Sequence, residues 1–367
     1  MVVGASSLEL EIRRLIAAAG PMPVAQYVSL CLTHPVHGYY ITRDPIGAGG
    51  DFTTAPEVTQ MFGELVGLWA AMVWKLMGSP ENVRLIELGP GRGTMMRDAL
   101  RAMNVAPDFR KAIVVHLVEI SPALEKIQRE TLAKSNMVVH WHRALSDVPE
   151  GPAIILANEF IDALPVHQMV KQADGWHERV VALNSEGNFV FGISTHPVPH
   201  FERVLPKRVK ESPIGSIYEW RSDNDAFEIG RRVRDNGAAL IIDYGHGQSD
   251  VGDTLQAMGK HAYTDALGDP GSVDITAHVD FEAVGAAAES MGAAQHGPID
   301  QSDFLLRLGI EARANALKVA ALPEKKAEID AAIARLTQGG RTGMGRLFKA
   351  MAIADPKLGP LPAFDAE

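Results

Sequence analysis

Cysteine is almost absent from this chain: Cys31 is the one thiol in 367 residues. A single cysteine excludes an intramolecular disulfide framework and a cysteine-rich zinc site. Its surroundings, Tyr27-Val28-Ser29-Leu30-Cys31-Leu32, predict a buried helical face and an inert core thiol. Long apolar runs are missing too, and none approaches the roughly 20 residues that span a bilayer. Positive charge is in deficit: 35 Lys and Arg stand against 45 Asp and Glu, a formal charge of −10, with a pI near 5.7. Nonspecific grip on nucleic acid needs clustered Lys and Arg, so no nucleic-acid partner is expected. The best basic candidate, Pro206-Lys207-Arg208-Val209-Lys210, reads as a solvated loop or helix face. No signal-peptide apolar region opens the chain. Glu9 and Glu11 beside Arg13 and Arg14 make a poor mitochondrial presequence, since those avoid acids. A cytoplasmic location is expected.

What is present is apolar substance: 46% hydrophobic residues, enough for one large α/β domain with additions or two modest domains. Residues 7–19 carry Leu8, Ile12, Leu15 and Ile16 at helical spacing. A second helix is predicted from Val24 to Thr33, and a third from Pro56 through Trp74 to Met77. Residues 1–80 thus read as an N-terminal helical region. Apolar runs then alternate with helical patterns, as in a parallel sheet covered on both faces. The predicted strands are Val83–Leu88, Ile113–Glu119, Val138–His142, Ala153–Ala157 and Gly237–Asp243, with Leu347–Ala354 as a late strand. About 80 residues separate the fourth and fifth strands, more than a crossover needs, so residues 166–236 are read as an insertion. Within it, Trp176–Leu183 and Asn188–Ile193 flank a turn at Asn184–Gly187 and predict a hairpin. After the fifth strand come a polar, glycine-rich loop to about residue 275, a helix over 281–291 and a helical stretch over 303–337. Residues 81–355 form the core domain in this reading, and 356–367 a proline-rich surface tail.

The chemistry concentrates at the expected carboxyl ends of the strands, where open α/β sheets bind ligands. The first strand runs into Glu87-Leu88-Gly89-Pro90-Gly91-Arg92-Gly93, a turn that a nucleotide-like ligand can approach closely because glycine has no Cβ. The spacing is G-x-G-x-G, not the dinucleotide G-x-G-x-x-G, which disfavours a nicotinamide dehydrogenase. A corner that needs glycine for packing alone is the bland alternative. Glu119, 26 residues beyond Gly93, offers two acceptor oxygens to ribose hydroxyls; otherwise it is a helix cap or a surface acid. Asn158-Glu159-Phe160-Ile161-Asp162 places two acids three apart, which a forked guanidinium would suit; alternatively Asp162 caps a helix and Glu159 pairs a structural arginine. Asp243 is expected to point where substrate lies. His246 can shuttle a proton near neutral pH, although a solvent-exposed loop histidine is the plainer reading. Thr54 or Thr53 is a candidate helix cap in Gly50–Glu57. Asp274–Phe281 reads as a loop-to-helix junction beside the cleft, and its His-x-Asp spacing resembles no strong metal site, so no metal is expected.

The glycine turn resembles the first motif of class I S-adenosylmethionine-dependent methyltransferases. Together with Asp51–Glu57, Gln60–Glu64, Asn158–Pro165, Asp243-Tyr244-Gly245 and Asp274–Phe281, it makes the chain resemble the MidA family over residues 8–355. That family is related to the mitochondrial arginine methyltransferase of complex I assembly. The resemblance implies a class I (Rossmann-like) doubly wound fold, S-adenosylmethionine as cofactor, and arginine methylation of a protein, with a complex I (NADH dehydrogenase) subunit as the substrate. The missing presequence points to a bacterial relative. Glu87, Gly89, Gly91, Gly93, Glu119, Thr54 and Asn158 are the cofactor-site candidates. Glu159 and Asp162 are expected to hold the acceptor, with Asp243 or His246 assisting proton loss. A non-catalytic assembly chaperone that keeps the fold is the alternative function, and a small-molecule methyltransferase a third.

Overall fold

The computed structural model describes residues 6–42, 54–259, 262–340 and 343–364. These divide into two compact units. Residues 6–42, 162–222 and 248–280 form the first, and residues 54–161, 223–247 and 281–364 the second.

The second unit is built on seven strands. In chain order they are β1 Val83–Leu88, β2 Ile113–Val118, β3 Val139–His142, β4 Ala153–Asn158, β5 Gly237–His246, β6 Ala294–Asp300 and β7 Phe348–Ala354. Their spatial order is β6-β7-β5-β4-β1-β2-β3. The β5-β4-β1-β2-β3 neighbours all pair in parallel, whereas β7 is antiparallel to both β5 and β6. Strand order reverses between β1 and β4, which is where a doubly wound sheet opens its ligand crevice. Both faces of the central strands are covered: Leu85, Ile154, Leu156 and Leu240 lie in one core cluster, while Ile86, Ile155 and Ile241 are equally buried. Such double burial is why these strands read as continuous apolar runs.

Several expectations change. The helix predicted from Pro56 to Met77 is two helices, Ala55–Val58 and Gln60–Leu76. Thr59 breaks it with an extended backbone, and its hydroxyl then caps the longer helix by accepting from Met61 N–H. β6 adds a strand beyond the expected set. The tail is no surface coil: Leu361 and Phe364 are buried, and the Trp69 indole donates to the Pro362 carbonyl at 3.2 Å.

The first unit joins pieces that lie far apart in the chain. Leu8, Ile12, Ile16, Val28 and Cys31 share a core with Val181, Ala257 and Ile275. One antiparallel sheet runs Met22–Pro23, Gly175–Leu183, Val166–Gln172, Ile217–Arg221, and Phe189–Pro197 completes the expected hairpin. The segment expected as a glycine-rich loop carries a small sheet of Gln256–Gly259, Ala262–Thr264 and Asp274–Thr276. The division expected at residue 80 therefore differs from the observed one. Residues 6–42 pack with the insertion, and residues 54–80 with the parallel sheet. Burial pushes the Cys31 thiol up to about 12, which keeps it protonated and inert.

Candidate active site

Leu88 stands level with Val118 on one neighbour and Ala157 on the other, so the chain leaves β1 into the crevice beside the ends of β2 and β4. Gly89, Gly91 and Gly93 all take left-handed backbone angles, with φ of 58°, 52° and 77°. An L-residue in that region costs about 1–2 kcal/mol. At Gly89 a Cβ would also stand 2.9 Å from the Phe160 ring. Glycine is required here for conformation and for close approach together. Gly93 caps the Thr94–Ala102 helix, whose first N–H groups have no partner within the helix.

Two acids flank the turn. Glu87 is buried, and its Oε2 has no hydrogen-bond partner among the described residues. Burial, with the nearby Glu119 charge second, pushes its carboxyl up to about 8. Glu119 follows β2 directly. Its Oε1 accepts from Ser121 N–H at 2.7 Å, and its Oε2 accepts from the Gln128 amide at 2.9 Å. Burial still raises its carboxyl against the opposing pull of these hydrogen bonds.

A third group gathers at the end of β4. Glu159 sits at φ 50°, an uncommon conformation for a residue with a side chain. Its Oε1 accepts from Ala55 N–H at 3.0 Å and from the Asn158 amide at 3.1 Å. The Asn158 Oδ1 is buried and has no partner among the described residues. Thr54 caps the Ala55–Val58 helix through its backbone, not its hydroxyl; Thr53 lies outside the described residues. The far end of that helix is fastened too, since the Thr94 hydroxyl donates to Glu57 at 2.5 Å. Thr54 is thereby held between the end of β4 and the glycine turn.

Not every candidate joins this cluster. Asp243 is fully buried inside β5. Its oxygens accept from Ile161 N–H and Tyr244 N–H, both at 2.9 Å, which holds the chain as it leaves β4. His246 is the last residue of β5, which runs three residues further than expected. Asp162 belongs to the first unit, where its carbonyl accepts from Arg221 at 3.1 Å. The expected pair Glu159 and Asp162 is thus divided between the units. Gln128, which links Glu119 to the turn, lies outside the expected site residues. Its signal was a polar residue in the buried stripe Leu124, Gln128, Leu132 of the Pro122–Leu132 helix.

The carboxyl end of the sheet therefore offers a buried acid with one oxygen unpartnered among the described residues, a left-handed glycine turn and a second acid with lone pairs to spare. These suit an amino-acid end and a ribose joined in one ligand. Residues 65–299 match the family described as "Putative S-adenosyl-L-methionine-dependent methyltransferase". The chain belongs to that family. It is similar to the Drosophila melanogaster "Protein arginine methyltransferase NDUFAF7 homolog, mitochondrial", with 38% identity over 95% of this chain and 85% of the relative. The Homo sapiens "Protein arginine methyltransferase NDUFAF7, mitochondrial" is 37% identical over 82% of this chain and 73% of its own. A COG1565 superfamily protein from Burkholderia thailandensis, described as a "likely methyl transferase" and bound to S-adenosyl-homocysteine, has a TM-score of 0.84 at 28% identity. That match covers 98% of this chain and 94% of that one.

These matches bear out the MidA resemblance, the class I methyltransferase fold and S-adenosyl-L-methionine as the cofactor. This protein is an S-adenosyl-L-methionine-dependent methyltransferase. The expected cytoplasmic location is overturned, because these relatives are mitochondrial by name. The acids that argued against a presequence sit on a folded helix, Ser7–Ala19, whose Leu8, Ile12 and Ile16 are buried. Glu9 pairs with Arg13 on that helix, so its charge pattern reflects the surface of a packed helix.

Proposed function

We propose that this methyltransferase modifies arginine side chains of a protein and that its substrate is a subunit of respiratory complex I. The observation that carries the reading is the near full-length similarity to relatives named protein arginine methyltransferases. The complex I subunit follows from the MidA resemblance. In this reading Glu87 and the N–H groups of the Gly89–Gly93 turn take the amino-acid end of the cofactor, and Glu119 accepts the two ribose hydroxyls. Thr54 and Asn158 border the same space, and the buried Asn158 Oδ1 supports that placement.

Bound S-adenosylmethionine supplies an electrophilic methyl group, and the chain's own residues align the acceptor with it. An arginine guanidinium stays protonated up to a pKa above about 12. Glu159 is placed to hold that cation, with one oxygen anchored by Ala55 and Asn158, so that one guanidinium nitrogen stays free to attack. Asp243 positions the β4 exit through Ile161, and His246, the last residue of β5, is the candidate to take the released proton. The test is methyl transfer from labelled S-adenosylmethionine to isolated complex I subunits, with the modified residue located by mass spectrometry. Dimethylated or monomethylated arginine that disappears in Glu159→Gln supports the reading. Label on another residue type, or full transfer by Glu159→Gln, overturns the arginine assignment or the role of Glu159 respectively.

A further inference from the structure

One side chain outside the expected site residues touches both the glycine turn and Glu119. Gln128 is fully buried on the Pro122–Leu132 helix. Its amide nitrogen donates to the Gly91 carbonyl at 2.7 Å and to Glu119 Oε2 at 2.9 Å. Its amide oxygen accepts from the Trp141 indole at 2.9 Å. Its Cγ lies beneath Gly93, 3.5 Å from where a Cβ would stand. An indole N–H can only donate, so the amide has one workable orientation, with both hydrogens turned toward the glycine turn and the acid. The Arg129 guanidinium covers the Trp141 ring at 3.9 Å and holds the indole in place.

The consequence is a fixed spacing. The β1–β2 pairing fixes the backbone at the two exits, with Leu88 level with Val118 and Gly89 N–H donating to the Val118 carbonyl at 3.1 Å, but backbone pairing does not orient the Glu119 side chain. Gln128 ties that carboxylate to the turn by bonding to both. Ser121 N–H on Oε1 and Gln128 on Oε2 hold both Glu119 oxygens, and the lone pairs that a carboxylate has beyond these can accept outside hydroxyls.

We propose that Gln128 is a positioning residue for cofactor recognition: it locks the Glu119 carboxylate to the glycine turn so that the acid discriminates for ribose hydroxyls. The proposal rests on the reading that Glu119 accepts those hydroxyls. It is tested by calorimetric titration with S-adenosylhomocysteine and with its 2′,3′-dideoxy analogue. The proteins compared are wild type, Glu119→Gln, Gln128→Met, the double variant and Trp141→Phe. Gln128→Met is expected to weaken S-adenosylhomocysteine by roughly tenfold or more while affecting the dideoxy analogue far less. The double variant is expected to bind like Glu119→Gln alone, because both changes remove one device. Trp141→Phe, which leaves the glutamine in place but frees its amide to turn, is expected to lose discrimination in the same direction and to a smaller degree. It also keeps the test decisive if Gln128→Met folds poorly. Equal weakening of both ligands in Gln128→Met and Trp141→Phe, or no weakening, overturns the proposal and leaves the glutamine as packing. If Glu119→Gln itself keeps wild-type discrimination, the ribose reading of Glu119 fails first, and the proposal falls with it.

Discussion

Glu159 accepts the Ala55 N–H at 3.0 Å from a backbone held at φ 50°. Strain of this kind persists where surrounding structure over-determines a residue, and it clusters at functional sites. Glu159→Gly relieves about 1–2 kcal/mol of backbone strain and loses two hydrogen bonds of about 1 kcal/mol each. Its stability in urea should therefore lie close to wild type while methyl transfer is lost. Glu159→Gln keeps an acceptor for Ala55 and should also remain folded, so a fall in its transfer rate would report chemistry and not collapse.

Gly91→Val should fold and fail to bind S-adenosylhomocysteine. The substitution forces a β-branched residue to φ 52°, at about 1–2 kcal/mol, and puts a side chain on the turn that the ligand must approach. Circular dichroism melting with calorimetric titration checks both halves. Wild-type affinity would count against the turn as the cofactor site.

Glu87 predicts a pH dependence of the ligand-free protein. Burial first and the Glu119 charge second raise its carboxyl from the ordinary 4.5 to about 8. Between those values the native state holds a proton that the unfolded chain has lost, so the contribution of Glu87 to stability falls as pH rises through that window. Glu87→Gln cannot ionise and should show a flatter profile, with its advantage over wild type greatest above pH 8. Urea denaturation near pH 5 and near pH 9 checks the sign.

Arg232 should behave as a structural residue alone. Its buried guanidinium donates to the carbonyls of Leu145, Val148 and Pro149 and pairs with Glu228. Arg232→Met strands those acceptors and should cost about 3 kcal/mol or more, with S-adenosylhomocysteine affinity unchanged in the protein that remains folded. Chemical denaturation and titration of the same preparation separate the two effects.

The central sheet was legible because its strands are buried on both faces and so read as unbroken apolar runs; Val83–Leu88 matches residue for residue. The glycine turn was legible from spacing alone. β6 was hidden because Gly297-Pro298 interrupts it. A proline is tolerated there only because β6 lies at the sheet edge, where a register shift between His296 and Ile299 absorbs it. The tail misled through its prolines, whereas Leu361 and Phe364 decide its fate by burial. In the candidate site the acids stood out by type and position. What each acid does depends on long-range partners: Asp243 meets Ile161 across 82 residues and Glu159 meets Ala55 across 104. Asp162 lies three residues from Glu159 and yet folds into the other unit.

The placement of β7 has a consequence for biosynthesis. β5 ends at His246 and its antiparallel neighbour begins at Phe348, 102 residues later (348 − 246). Until that neighbour emerges from the ribosome, the nascent chain carries Ala238–Ile242 as an apolar strand with one edge open. Such an edge is a template for aggregation. The sheet is therefore completed late in translation, and slow elongation or a premature stop before residue 348 would leave a nascent chain that needs chaperone cover.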